Sequence, residues 1–206
     1  MAKPRRTQPR MVSEGRLEDG RPVGTSRTSS HDDGSSRLSL VSSSADETQQ
    51  LGVALGRLLR PGDLILLQGP LGAGKTCFTQ GIARGFGFEG RVVSPSFTLA
   101  NVYEPSASGH PLYHLDLWRI KSPAEALGLG LDEYLAGGGP TVIEWPEVAE
   151  TVLPYEYLQI RIDPVDEARR FEFYSVGTRP RMLLDELRRS LASLTERSGG
   201  ARAAGD

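Results

Sequence analysis

Gly69-Pro70-Leu71-Gly72-Ala73-Gly74-Lys75-Thr76 decides the fold, because it fits the Walker A spacing of Gly, four residues, then Gly-Lys-Ser/Thr. Before it, Asp63-Leu64-Ile65-Leu66-Leu67-Gln68 is an apolar run with the length of a buried strand. After it, Thr76 to Phe86 contains no proline and sets Phe78, Ile82, Ala83 and Phe86 on one helical face. Strand, glycine turn and helix is the setting in which this pattern cradles phosphate. Backbone N–H groups curling round an anion are the densest source of donors, and Gly72 and Gly74 let the chain bend close without a Cβ in the way. The helix start adds unpaired N–H groups and the positive end of its dipole. The pattern assigns Lys75 to the β- and γ-phosphates and the Thr76 hydroxyl to Mg²⁺. The competing reading, a glycine turn with a surface lysine, does not account for the flanks. The stretch implies a nucleoside triphosphate site.

A chain of 206 residues with 38% hydrophobic and 24% charged residues is sized for one packed domain with tails. A formal net charge of −2 gives no global pull towards nucleic acid. One cysteine, Cys77, excludes an internal disulfide and fits a reducing, cytoplasmic compartment. It follows the Lys-Thr pair, so its backbone N–H is placed to help hold phosphate, while its thiol is assigned to packing. The longest wholly aliphatic run, Leu64 to Leu67, is far too short for a membrane span.

Residues 1–36 are poor in apolar side chains and rich in Arg, Ser, Gly and Pro, which predicts a disordered tail. The folded domain is expected over residues 37–197, with a frayed end over 198–206. Arg37 to Val41 alternates as a strand. Ser44 and Glu47 mark a helix entry whose apolar face is Leu51, Leu55, Leu58 and Leu59. Val92 to Leu99 is a proline-broken approach to a strand through Tyr103. Leu112 to Trp118 and Thr141 to Trp145 are further strands, with short helices from Pro123 and Leu131 between them. Tyr157 to Asp163 and Arg170 to Val176 predict a hairpin. Arg179 to Arg197 carries Met182, Leu183, Leu187, Leu191 and Leu194 at helical spacing. The order predicts an α/β fold: a P-loop NTPase-like central sheet, mixed parallel and antiparallel, flanked by helices.

Hydrolysis also needs a held metal and an oriented water. Two acids stand at strand ends, Asp116 and Glu144, and position alone leaves both open as site residues or as structural caps. Asp132 and Glu133 fit an exposed helical turn. Ser94, Ser96 and Thr98 around Pro95 are placed either to reach a γ-phosphate or its metal, switch-like, or to serve a turn. His114 shares a strand face with Asp116 and could orient a water or fill the core. Trp118 and Trp145 are assigned to packing, with adenine stacking as the second reading.

Taken together, Gly72-Ala73-Gly74-Lys75-Thr76, Ser94-Pro95-Ser96-Phe97-Thr98-Leu99, His114-Leu115-Asp116-Leu117-Trp118-Arg119 and Ile143-Glu144-Trp145-Pro146-Glu147 resemble, in content and order, the TsaE family. These are the small ATPases of bacterial tRNA threonylcarbamoyladenosine synthesis. The resemblance spans about residues 38 to 177, and its Ile-Glu-Trp-Pro and His-x-Asp-x-aromatic-Arg stretches are far more specific than the phosphate loop. The family usually has Thr where Ser96 stands and Tyr where Trp118 stands. The resemblance implies a weak, magnesium-dependent ATPase that works with a TsaD-like transferase and a TsaB-like companion, and meets tRNA only through that complex. It implies Gly72, Ala73, Gly74, Lys75, Thr76 and Cys77 on phosphate, Thr76 and Glu144 at Mg²⁺, and Asp116 either on the metal or behind it. Thr48 and Arg169 match nucleotide-side positions loosely. Two other classes compete: a phosphotransferase passing the γ-phosphate to a small molecule, and a nucleotide-sensing scaffold without turnover. The first needs an arginine-bearing lid, which the sequence does not display. No Asn/Thr-Lys-x-Asp guanine-reading stretch occurs, which favours adenine.

Overall fold

The computed structural model describes residues 10–11, 36–105 and 109–200, the first two and the last seven by backbone alone. The expected tail lies outside the described residues except at Arg10, Met11 and Ser36, and so does the end of the chain after residue 200. Eight strands form one sheet: β1 (Arg10–Met11), β2 (Arg37–Ser42), β3 (Leu64–Gln68), β4 (Ala100–Tyr103), β5 (Leu112–Asp116), β6 (Thr141–Glu144), β7 (Tyr157–Val165) and β8 (Ala168–Val176). Their order is β1-β2-β8-β7-β3-β6-β5-β4. β3 is central and pairs parallel with both β6 and β7, and β5 pairs parallel with β6. The outer pairs β4–β5, β7–β8, β2–β8 and β1–β2 are antiparallel, as a mixed sheet requires.

Alternation along β3 sorts the two faces. Ile65 and Leu67 point into the larger core, with Leu51 and Leu55 of helix α1 (Ala45–Gly56), Phe78 and Ile82 of α2 (Lys75–Gly85), and Leu183, Leu184 and Leu187 of α5 (Thr178–Gly200). Leu64 and Leu66 point into the smaller core, closed by Ala126 of α3 (Pro123–Gly128), Leu131 of α4 (Leu131–Ala136) and Ala149 of a 3-10 helix (Pro146–Val152). A strand buried on both faces has no polar side to show, hence its unbroken Leu-Ile-Leu-Leu.

Several bounds differ from the sequence expectation for identifiable reasons. β5 stops at Asp116, not Trp118, because the Asp116 carboxylate accepts the Trp118 N–H at 3.0 Å and turns the chain. β6 stops at Glu144 because Trp145 is left-handed, φ 59°. The hairpin runs longer on both arms, its two-residue turn made possible by Asp166 at φ 54°. Helix α1 ends at Gly56, so Leu58 and Leu59 pack from the following turn. In α5 the buried row includes Leu184, and Met182 is half exposed. The Ser44 cap forms as expected: its Oγ accepts the Glu47 N–H at 3.1 Å, while the Glu47 carboxylate accepts from Ser43 N at 2.7 Å.

Helices α1 and α2 cross so closely that glycine is required on both. A Cβ on Gly52 would meet the Phe78 carbonyl, and one on Gly56 the Ile82 carbonyl. Reciprocally, Gly81 faces the Gln49 carbonyl and Gly85 that of Val53. The sequence reading passed over this seam; its signal is the pair of Gly-x-x-x-Gly spacings.

At the opposite end of the sheet from the phosphate loop, Arg179 fixes α5. Its Nε and Nη2 donate to the two oxygens of the buried Asp63 carboxylate at 2.9 and 2.7 Å, and Nη2 also donates to the Leu58 carbonyl at 3.1 Å. Arg179→Ala leaves that carboxylate inside without its ion, and because Arg179 is only partly shielded the expected loss is about 2 kcal/mol, or about 4–8 °C in melting temperature. Thermal denaturation checks this, and an unchanged melting point would show the pair to be ornamental.

Candidate functional site

Three neighbouring parallel strands deliver the site. The β3 end leads into the loop, while β6 and β5 end in Glu144 and Asp116, which stand opposite each other in register. Leu67 of β3 is opposite Glu144, so the acid sits beside the start of the loop. The carboxyl ends of such strands open together on one edge, where α/β sheets hold ligands.

The loop has the predicted backbone. Gly69, Gly72 and Gly74 have φ of 141°, 78° and 105°, a region that other residues enter only with strain. Gly74 caps α2 with no side-chain hydrogen bond, so the first N–H groups of the helix carry no side-chain partner. A cleft lined by Gly72, Ala73, Gly74, Lys75, Thr76 and Cys77 on one side and Ser94, Ser96, Asp116, Trp118, Glu144 and Trp145 on the other opens there.

Lys75 is nearly buried. Its Nζ donates to the Gly69 and Pro70 carbonyls at 2.8 and 3.0 Å and lies 3.6 Å from the centre of the Trp145 ring. Desolvation pulls its pKa below the usual lysine value, against the opposing pull of Glu144, Asp116 and Glu147. The left-handed Trp145 backbone costs about 1 kcal/mol or more, and what it achieves is this ring placement, with Trp118 stacked obliquely at 4.3 Å. Both tryptophans therefore belong to the cleft, and Trp145 shields the lysine.

Each acid has its own partners. Glu144 accepts from the Thr76 hydroxyl through Oε2 at 3.1 Å and faces His114 Nε2 through Oε1 at 2.9 Å. Asp116 Oδ2 accepts from Ser94 Oγ at 2.5 Å and Ser96 Oγ at 2.6 Å. Thr98 is exposed and stands outside this cluster and the cleft lining. Thr48 is fully buried, its hydroxyl donating to the Ser44 carbonyl at 3.0 Å and touching Ser42 Oγ at 2.8 Å, also away from the cleft lining. Arg169 on β8 lies over the loop: its Nε is 2.9 Å from where a Gly74 Cβ would be. His114 is fully buried, the core position that was one of its two readings, while its contacts with Glu144 and Tyr103 carry no signal in the sequence.

The donors suit magnesium. A hydroxyl and a carboxylate in contact, with a second carboxylate on the next strand, are hard oxygen ligands. Among the described residues no three His, Cys, Asp or Glu side chains form a cage, so an ion held here takes further oxygens from phosphate and water.

Cys77 lines the same cleft, its Sγ 3.5 Å from the Ala45 carbonyl. Burial raises its thiol pKa, opposed by the Arg169 charge and a hydrogen bond with Gln49. The thiolate fraction at neutral pH is therefore below that of a free cysteine, and alkylation by iodoacetamide is expected to be slower than for glutathione at pH 7.5. If the cleft takes a nucleotide, adding ATP slows it further; a rate indifferent to ATP would place any nucleotide elsewhere.

Comparisons with known proteins agree with this geometry. The family model described as "Threonylcarbamoyl adenosine biosynthesis protein TsaE" matches residues 42–171. The tRNA threonylcarbamoyladenosine biosynthesis protein TsaE of Bacillus subtilis is 42% identical over 145 residues, covering 70% of this chain and 89% of the relative. Its namesake in Treponema pallidum is 39% identical over 130 residues, covering 63% and 94%. A crystal structure of Bacillus subtilis YdiB superposes with a TM-score of 0.66 at 38% identity, covering 75% of this chain and 96% of that one. The loop, the two strand-end acids and the serine segment all fall within the matched span, and the chain belongs to the TsaE family.

Proposed function

We infer that the chain is a magnesium-dependent ATPase subunit that binds and hydrolyses ATP in support of tRNA N6-threonylcarbamoyladenosine formation next to the anticodon. It acts in the cytoplasm with a TsaD-like transferase and a TsaB-like companion, and tRNA reaches it only through that complex. The observation carrying this reading is the Thr76–Glu144 hydrogen bond, which joins the first turn of the loop helix to a strand-end acid. Lys75 exchanges the Gly69 and Pro70 carbonyls for β- and γ-phosphate oxygens. Thr76 and Glu144 would hold magnesium, whose charge would offset that developing on the phosphates. Ser94 and Ser96, loaded on Asp116, stand across the cleft where a γ-phosphate or its water can be met.

Dependence on partners is supported by the rim of the cleft. Leu71 is 79% exposed, Phe97 86% and Trp118 52%, apolar side chains near the cleft that a partner surface could cover. Arg119 lies 4.4 Å over the Phe97 ring and adds a charge to that group. No helix among the described residues is long and apolar enough to cross a membrane.

The test is turnover. Purified chain is assayed for phosphate release from ATP alone and with the two partner subunits, with magnesium or EDTA. Magnesium-dependent release that rises on adding the partners is the expected result. A phosphorylated small molecule in place of free phosphate would establish a phosphotransferase, and no turnover under any condition would leave a nucleotide-gated scaffold.

A further inference from the structure

One buried titratable group stands behind the cleft acids. His114 is completely enclosed, and a core imidazole is tolerated only if both nitrogens are satisfied. Here each faces a partner. Nε2 lies 2.9 Å from Glu144 Oε1, and Nδ1 lies 3.3 Å from the Tyr103 hydroxyl. An ionised carboxylate can only accept, so Nε2 carries the proton towards Glu144. The other oxygen of Glu144 is then the one left for Thr76.

The chain of contacts continues outward. The single hydroxyl proton of Tyr103 is shared between His114 Nδ1 and the Val93 carbonyl at 3.1 Å, serving one at a time, and the Asn101 side-chain amide donates to the same carbonyl at 3.1 Å. Val93 immediately precedes Ser94, which with Ser96 holds Asp116. The segment over 93–96 is thus tied to both acids, to Asp116 directly and to Glu144 through Tyr103 and His114.

We propose that His114 is a positioning residue that sets the rotation of the Glu144 carboxylate, and that Tyr103 and the Val93 carbonyl link that setting to the serine segment. The proposal rests on the reading of Thr76 and Glu144 as the magnesium site. A carboxylate fixed at one oxygen cannot turn about its terminal bond, so the free oxygen is preorganised towards Thr76. Movement of the serine segment pulls on Val93, and the pull reaches Glu144 through Tyr103 and His114.

The test measures affinity of the full-length chain for a non-hydrolysable ATP analogue by calorimetry, with magnesium and with EDTA. The ratio of the two is the magnesium gain. His114→Leu is expected to lower that gain by about tenfold or more, the usual loss when the partner behind a metal ligand is removed, while affinity in EDTA stays within about twofold. His114→Gln, whose amide can donate to Oε1, should restore over half of it. Glu144→Gln should lose the gain, and adding His114→Leu to it should cost nothing more, since one residue acts through the other. An unchanged gain in His114→Leu, or losses that multiply in the double variant, would reduce His114 to a space filler. Should His114→Leu fail to fold, Tyr103→Phe replaces it: a loss of gain confined to the Glu144 background supports the link, and no loss overturns it. A wild-type chain without magnesium gain overturns both the metal reading and this one; gain with an additive cycle overturns only the role of His114.

Discussion

Lys75→Ala is expected to lower ATP affinity by a factor of about one hundred or more, since two charge-assisted contacts to phosphate are worth about 3 kcal/mol together. The fold should survive. Burial lowers the Lys75 pKa, so the folded state holds the ammonium less readily than water does. The sign follows from proton uptake. With the folded value below the unfolded value of 10.5, the unfolded chain binds more protons between the two. Charging Lys75 therefore costs stability below that interval, and the cost is relieved as pH rises through it. Removing the charge should leave the melting temperature at neutral pH unchanged or slightly higher, against the loss of the Trp145 contact. Calorimetry with ATP and a thermal melt check both halves. Unchanged affinity would remove the loop from the site, and collapse of the fold would make Lys75 structural.

Glu144→Gln should reduce partner-stimulated hydrolysis about a hundredfold or more, the usual scale for one metal-holding or transition-state-polarising group. The amide keeps the shape and both hydrogen bonds: its oxygen can accept from His114 Nε2 and its NH₂ can donate to Thr76 Oγ. Stability should change by no more than about 1 kcal/mol, so lost turnover would report lost charge. Asp116→Asn should bind ATP nearly normally and lose turnover as heavily. Its oxygen can accept from Trp118 N, but its NH₂ then meets Ser94 and Ser96, whose hydroxyl protons must point elsewhere. Phosphate release with the partner subunits, alongside melting curves, separates these cases; an acid whose amide variant turns over normally leaves the site.

Much of the fold was legible because a glycine turn between a buried strand and a helix admits few solutions. Gly72, Gly74, Lys75 and Thr76 are dictated by close backbone approach and charge, and the acids stand where parallel strands end. The α/β class followed from an unbroken Leu-Ile-Leu-Leu run between polar segments. What escaped the reading depends on contact between distant segments. Trp145 reads as packing until its left-handed backbone is seen to swing the ring over Lys75. Tyr103 and His114 meet only because β4 pairs with β5, and nothing near either residue announces it. Gly52, Gly56, Gly81 and Gly85 look like weak helix formers, since propensity cannot register a neighbouring helix.

That glycine seam makes the two walls of the cleft mechanically unequal. On one side, backbone rests on backbone: α2, which carries Lys75 and Thr76, meets carbonyls and Cα atoms of α1 with no rotamer in between to absorb a shift. It behaves as an anvil. On the other side, the serine wall is held by hydroxyls, an amide and a carbonyl, bonds that exchange partners over fractions of an ångström. A push on the cleft from within would therefore be taken up by the compliant wall, next to which Phe97 stands in solvent.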